Sequence, residues 1–171
     1  MPFLDVFHLK HYKGDSKKLA FSAPLPDLNT KDGILAFAGP AHFELTLTNV
    51  GLGAIHVEGK IYAALNVFCS RCLKEFVFSA EALLNEMYYD QNQVAPQGRT
   101  EEWTAYTGDE IDLTPEVLSA VLISLPIRVI CAHTCKGLCP ICGTDLNMGQ
   151  CACTQEEIDP RMAKLKELLD Q

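Results

Sequence analysis

Eight cysteines in three tight groups constrain this chain more than any other feature. Cys69 and Cys72 have two residues between them. Cys131, Cys135, Cys139 and Cys142 follow with gaps of three, three and two, and a single residue separates Cys151 from Cys153. A CxxC turn lets two thiolates converge on one tetrahedral ion at about 2.3 Å, and two such turns close the site against water. The chain is expected in the cytoplasm, where thiols are kept reduced, so clustered cysteines point to metal before disulfides. MPFLDVFHLKHYKG puts Asp5, His8 and Lys10 where a secretory signal needs an unbroken apolar core. The longest uncharged apolar stretch, Val117 to Ile127, contains two Ser and a Pro and is too short to span a membrane.

Eight candidate ligands at four per ion predict two zinc ions. The partition with the shortest local closure joins Cys139 and Cys142 to Cys151 and Cys153. Cys69, Cys72, Cys131 and Cys135 are then left for the other ion, which would tie an early turn to a late segment. Four alternatives stay open: a single site from Cys69, Cys72, Cys139 and Cys142, a local one from Cys135, Cys139, Cys142 and Cys153, His133 in place of a cysteine, and several of the eight as free structural thiols. Gly143, directly after the CPIC turn, suits the bend that carries backbone amides toward the sulfurs.

At 171 residues with 48% hydrophobic content, the chain is expected to bury one core as a single domain, 1–171. Residues 1–90 read as a β-rich part holding the first CxxC, 91–110 as an acidic loop region, and 111–171 as helix, cysteine cluster and C-terminal helix. Within 1–40, the runs Phe3 to Leu9, Leu19 to Phe21 and Ile34 to Phe37 predict short strands between Gly and Pro turns. From His42 to Tyr89 the period is two: Phe43, Leu45 and Leu47, then Ile55, Val57, Ile61, Ala63, Leu65 and Val67 after Gly51 and Gly53. An antiparallel meander follows, with Cys69 and Cys72 at a hairpin end; a helix from Ala80 to Tyr88 is the competing reading.

Thr114 as N-cap and Pro115 at the first helical position open a short, mostly buried helix that Pro126 stops. Asp159 and Pro160 open a second, with Met162, Leu165, Leu168 and Leu169 on one stripe. The expected class is therefore α+β: a mainly antiparallel sheet, a Cys-rich zinc-binding C-terminal module and two short helices.

The formal charge is −8, and each zinc held by four thiolates adds −2, so two sites take it to −12. Such acidity opposes nonspecific phosphate binding. Residues 76–116 carry nine acidic side chains (Glu81, Glu86, Asp90, Glu101, Glu102, Asp109, Glu110, Asp112, Glu116) against Arg99 alone. They read as a solvated face or as a docking surface for a basic partner such as a ribosomal protein. Arg71, Lys74 and Lys136 stand beside the cysteines and form a candidate contact for RNA or a partner.

Catalytic chemistry finds little support. His56 and Glu58 before a CxxC superficially match a zinc deaminase, but both fall on one face of a strand, and Phe68 stands where that pattern has proline. A redox CxxC would open a helix in a βαβ unit, and here it interrupts antiparallel strands. No phosphate-binding loop, dinucleotide fingerprint or nucleophile elbow occurs, and no small-molecule substrate is expected.

CSRCLKEF, then GDEIDLTPEVLSAVLISLP, CKGLCPICGTDLN, CAC and DPRMAKLKEL in that order, spanning about residues 54–170, resemble the YceD family, bacterial proteins linked to large-subunit ribosomal RNA accumulation. The resemblance implies a metal-binding cytoplasmic protein that helps synthesis, processing or stability of that RNA, with plant relatives in plastids and no catalytic residue. The expected function is non-enzymatic help in ribosome assembly through ribosomal precursors, basic ribosomal proteins or large-subunit rRNA. The alternative is a direct RNA-binding zinc-knuckle module.

Overall fold

The computed structural model describes residues 1–30, 33–92 and 103–153. Its centre is a meander of three long antiparallel strands, β5 (Ala41–Gly51), β6 (Ala54–Phe68) and β7 (Glu75–Asp90). The period-two pattern accounts for it directly. Phe43, Leu45 and Leu47 on β5, Ile55, Val57, Ile61, Leu65 and Val67 on β6, and Ala80, Ala82, Leu84 and Tyr88 on β7 are all buried. The ladder between β6 and β7 runs unbroken from Ile55↔Tyr88 to Phe68↔Glu75. The helix considered for Ala80 to Tyr88 therefore does not form: Ala80, Ala82 and Leu84 alternate with the outward Glu81, Leu83 and Asn85, and long-range pairing overrides local helix propensity.

Shorter strands complete the sheet. β2 (Ser16–Ala23) flanks β5, while β4 (Gly33–Phe37), itself paired with β3 (Leu28–Thr30), takes the stretch of β6 that β5 leaves open at Leu65 and Asn66. β8 (Thr104–Tyr106) runs parallel to the end of β7. A separate ribbon joins β1 (Phe3–Asp5) to β9 (Glu110–Asp112), and the Pro2 carbonyl accepts from Leu113 N–H. At Gly59 the β5 and β6 backbones come so close that an added Cβ would lie 2.1 Å from the Glu44 carbonyl oxygen, and φ there is +154°.

Helix α1 (Thr114–Ser124) follows β9. Its N-cap residue is Leu113, not Thr114, and it ends at Ser124, ahead of Pro126. Asp112 does the capping chemistry expected of Thr114: its Oδ1 accepts from Thr114 N–H at 2.9 Å. The helix is also less buried than expected, since Thr114, Val117 and Val121 face the core while Leu122 and Ile123 are exposed. Among the described residues it is the one α-helix. The second expected helix, from Asp159, lies outside the described residues, as do Glu101 and Glu102 of the acidic run.

Of the remaining acidic residues, Glu81, Asp109, Glu110 and Asp112 are exposed, Glu86 and Glu116 are half-buried and Asp90 is buried. Asp90 is buried and accepts from Asn92 N–H, Asp109 pairs with Lys10, Glu81 pairs with Lys60 at 2.6 Å, and Glu116 accepts from Thr104.

Candidate metal centre

The first CxxC sits where β6 turns into β7. Leu73 N–H donates to the Cys69 carbonyl and Cys69 N–H to the Lys74 carbonyl, both at 2.9 Å, and Leu73 adopts left-handed backbone with φ 58°. The second CxxC repeats this turn. Gly143 N–H donates to the Cys139 carbonyl at 2.9 Å, Cys139 N–H donates to the Thr144 carbonyl at 2.8 Å, and Gly143 has φ 73°. Six residues of chain thus make one knuckle twice, with a leucine carrying the left-handed position that glycine takes with less strain.

Each knuckle is completed by a cysteine pair from elsewhere. The sulfurs of Cys69, Cys72, Cys131 and Cys135 all lie within 4.8 Å of one another, and so do those of Cys139, Cys142, Cys151 and Cys153. These are the two groups of the shortest-closure partition; the alternative groupings are not assembled, and His133 stands outside both. Four sulfurs bound tetrahedrally at 2.3 Å stand about 3.8 Å apart. In the first cluster Cys69 Sγ to Cys135 Sγ is 3.9 Å and Cys72 Sγ to Cys131 Sγ is 3.7 Å. Those two separations are the ones a tetrahedral four-sulfur site for a zinc-sized ion requires.

The surroundings of the first cluster favour thiolate. Arg71 N–H and Cys131 N–H each point at Cys69 Sγ at 3.4 Å, and Asn147 Nδ2 points at Cys135 Sγ at 3.5 Å. Burial pushes the Cys69 thiol up, but the N–H groups of Cys131, Cys72 and Arg71 bring it down to about 6. Burial and its sulfur neighbours push Cys131 up to about 12. In the second cluster the Thr144 hydroxyl and N–H bring Cys142 down to about 6, while its partner Cys153 is pushed up to about 12 by Cys142 and by burial. The first cluster thus sets a lowered thiol beside a raised one, and in the second Cys139, lowered by the N–H groups of Cys142 and Ile141, joins Cys142 against the raised Cys153.

The clusters differ in shielding. Cys69, Cys72 and Cys135 are buried and pack with Ile130 and Leu138, whereas of the second four only Cys139 is buried. They also share a wall. Asn147, from the second knuckle's side, accepts from Lys136 N–H at 2.7 Å while reaching Cys135, and Leu138 N–H donates to the Arg71 carbonyl at 3.1 Å. Gly137, with φ +79°, lies so near that an added Cβ would be 3.0 Å from that same carbonyl oxygen. Sequence reading missed Asn147; its only signal is the polar TDLN run after the knuckle.

Of the three candidate contact residues, Lys74 and Lys136 are exposed beside the first cluster. Arg71 is also exposed, but its guanidinium donates to the Cys135 carbonyl at 2.8 Å, so it serves the cluster. His56, on β6, is paired with Asn85 at 2.7 Å.

The family model described as large ribosomal RNA subunit accumulation protein YceD matches residues 57–169, from β6 through both clusters. The chain belongs to the YceD family. An uncharacterized protein of Mycobacterium tuberculosis is 32% identical over 127 residues, covering 74% of this chain and 60% of the relative, and one from Mycobacterium leprae is 28% identical over 137 residues, covering 80% and 62%. The chain thus spans about three fifths of the length of these relatives. A relative from Arabidopsis thaliana named large ribosomal RNA subunit accumulation protein YCED homolog 1, chloroplastic, is 37% identical over 62 residues, 36% of this chain and 19% of that one. No solved structure matches. No described helix is long and apolar enough to cross a membrane.

Proposed function

We propose that this chain is a non-enzymatic cytoplasmic zinc-binding factor that assists synthesis, processing or stability of large-subunit ribosomal RNA during ribosome assembly. The observation that carries the reading is the grouping of eight thiols into two four-sulfur clusters, the sulfurs of each within 4.8 Å of one another, in a YceD-family chain. Zinc suits thiolate donors, and four of them leave no coordination position for water or substrate, so the ion's role is to hold backbone in place. Cys69 and Cys72 bring the β6–β7 hairpin, and Cys131 and Cys135 bring the segment after α1, so the first zinc fixes the C-terminal module to the sheet.

On this reading the zinc-fixed knuckles present a rigid surface with Lys74 and Lys136 at its edge, and the protein works in contact with ribosomal precursors or basic ribosomal proteins. Direct recognition of RNA by the knuckles is the second reading, favoured by those two exposed lysines and opposed by the net charge of −8.

The test is recovery of the tagged protein from its native cells at moderate salt, with and without ribonuclease. Ribosomal precursors or large-subunit proteins that copurify after ribonuclease support the assembly reading. Their loss after ribonuclease transfers support to direct RNA contact, and recovery of neither contradicts both.

A further inference from the structure

A cavity of about 280 Å³ opens beside the second cluster, with Cys139, Cys151 and Cys153 on its wall. Pro140, Ile141, Leu146 and Gln150 complete the lining, and none of them carries a charge. Such a wall admits a small neutral molecule and disfavours an ion, which would have to leave its hydration behind. Cys142, the fourth member of the group, is exposed, as is Cys153. All four sulfurs lie within 4.8 Å of one another.

The first cluster is built differently. Cys69, Cys72 and Cys135 are buried and pack with Ile130 and Leu138, which leaves Cys131 as its one exposed sulfur. The second also depends more on its ligands for shape, because Cys139 alone is buried among residues 139–153.

We propose that the second cluster is an oxidation site for a small uncharged peroxide, which enters this cavity and joins Cys142 to Cys153 in a disulfide while the first cluster stays reduced. The Cys153 sulfur attacks one peroxide oxygen; the O–O bond breaks, hydroxide leaves and Cys153 becomes a sulfenic acid. The Cys142 sulfur then attacks the Cys153 sulfur, the S–O bond breaks and a second hydroxide leaves. Two electrons thus pass from the two thiolates to the peroxide, and two solvent protons turn the hydroxides into water. The two sulfurs close from within 4.8 Å to about 2.05 Å. Cys139 and Cys151 each take up a proton as the ion is released. The second knuckle then loses its four-sulfur tie, while the first still fixes its segment to the sheet, so the surface offered to a partner changes with redox state. The inference rests on the two-zinc reading above.

The test uses the reduced full chain in its zinc-loaded form, a small excess of hydrogen peroxide, a chromophoric zinc indicator and native mass spectrometry. One zinc per chain is expected to be released, with a Cys142–Cys153 disulfide in the peptide map and the other zinc retained. A dithiol reductant with added zinc is expected to restore the two-zinc mass. Gln150→Trp and, separately, Ile141→Trp, each filling the cavity from an exposed position, are expected to slow release several-fold from an unchanged two-zinc starting mass. No release, release of both ions together, or a disulfide among Cys69, Cys72, Cys131 and Cys135 overturns the proposal, as does a rate that both tryptophan variants leave unchanged. A chain that carries no zinc before peroxide is added overturns the zinc reading and this inference together, so the two failures are distinguishable.

Discussion

Arg71 donates from Nη1 to the main-chain carbonyl of Cys135 at 2.8 Å, so the first knuckle grips the segment that supplies the other half of its own cluster. Its carbonyl meanwhile accepts from Leu138 N–H. One residue inside a CxxC therefore holds both strands of the cluster in register, independent of any phosphate contact.

Arg71→Lys should lower the zinc affinity of the first cluster about tenfold, the usual scale for losing a residue that orients ligands, because lysine has no planar fork to reach the carbonyl at the same angle. Competition with a chromophoric chelator measures this, and the second cluster should be unaffected. Unchanged affinity would mean that the hydrogen bond does not orient Cys135.

Zinc should leave in two steps. The second cluster is the less shielded, with Cys139 alone buried, so a strong chelator should strip it first. Cys142→Ser should abolish that early phase and leave the sheet folded, because the main core contains no cysteine. Cys69→Ser should instead expose the segment after α1 to protease. Loss of both ions in a single phase would contradict independent clusters.

Protons compete with the metal for every ligating thiol, so uptake releases protons and affinity falls as pH falls. Cys131 and Cys153, held at about 12, surrender theirs only to the ion, whereas Cys69 and Cys142, at about 6, are already thiolates at neutral pH. Affinity should thus decline on acidification and steepen below about 6. Calorimetry of zinc binding in two buffers of different ionisation enthalpy reads the proton release; identical heats would refute it.

Gly59→Ala should destabilise the sheet by about 2 kcal/mol or more, since the new methyl group meets backbone of β5 on strand-interior geometry with positive φ. Gly39→Ala, with nothing within 4 Å of its added carbon, serves as the control and should be near neutral. Urea denaturation compares them.

The sheet was legible because one buried face imposes strict alternation on β5 and β6, and the cysteine grouping because neighbours in sequence close the shortest loops. β7 was ambiguous for a physical reason: Ala80, Glu81, Ala82, Leu83 and Leu84 are acceptable in helices, and pairing with β6, remote information, decides. Leu73 gave no sign of its left-handed backbone, as no glycine marks the spot. Thr114 reads locally as the cap, but the helix takes Leu113 as its N-cap residue while Asp112 accepts from Thr114 N–H, an arrangement no residue type marks. The partnering of Asp109 with Lys10, 99 residues away, lies beyond any local pattern.

Native mass spectrometry of the freshly purified, reduced full chain, combined with metal analysis, tests the central claim most directly. The account predicts a single folded species carrying two zinc ions, reduced to one by Cys142→Ser. A metal-free mass, or a mass carrying disulfides in place of metal, would contradict it.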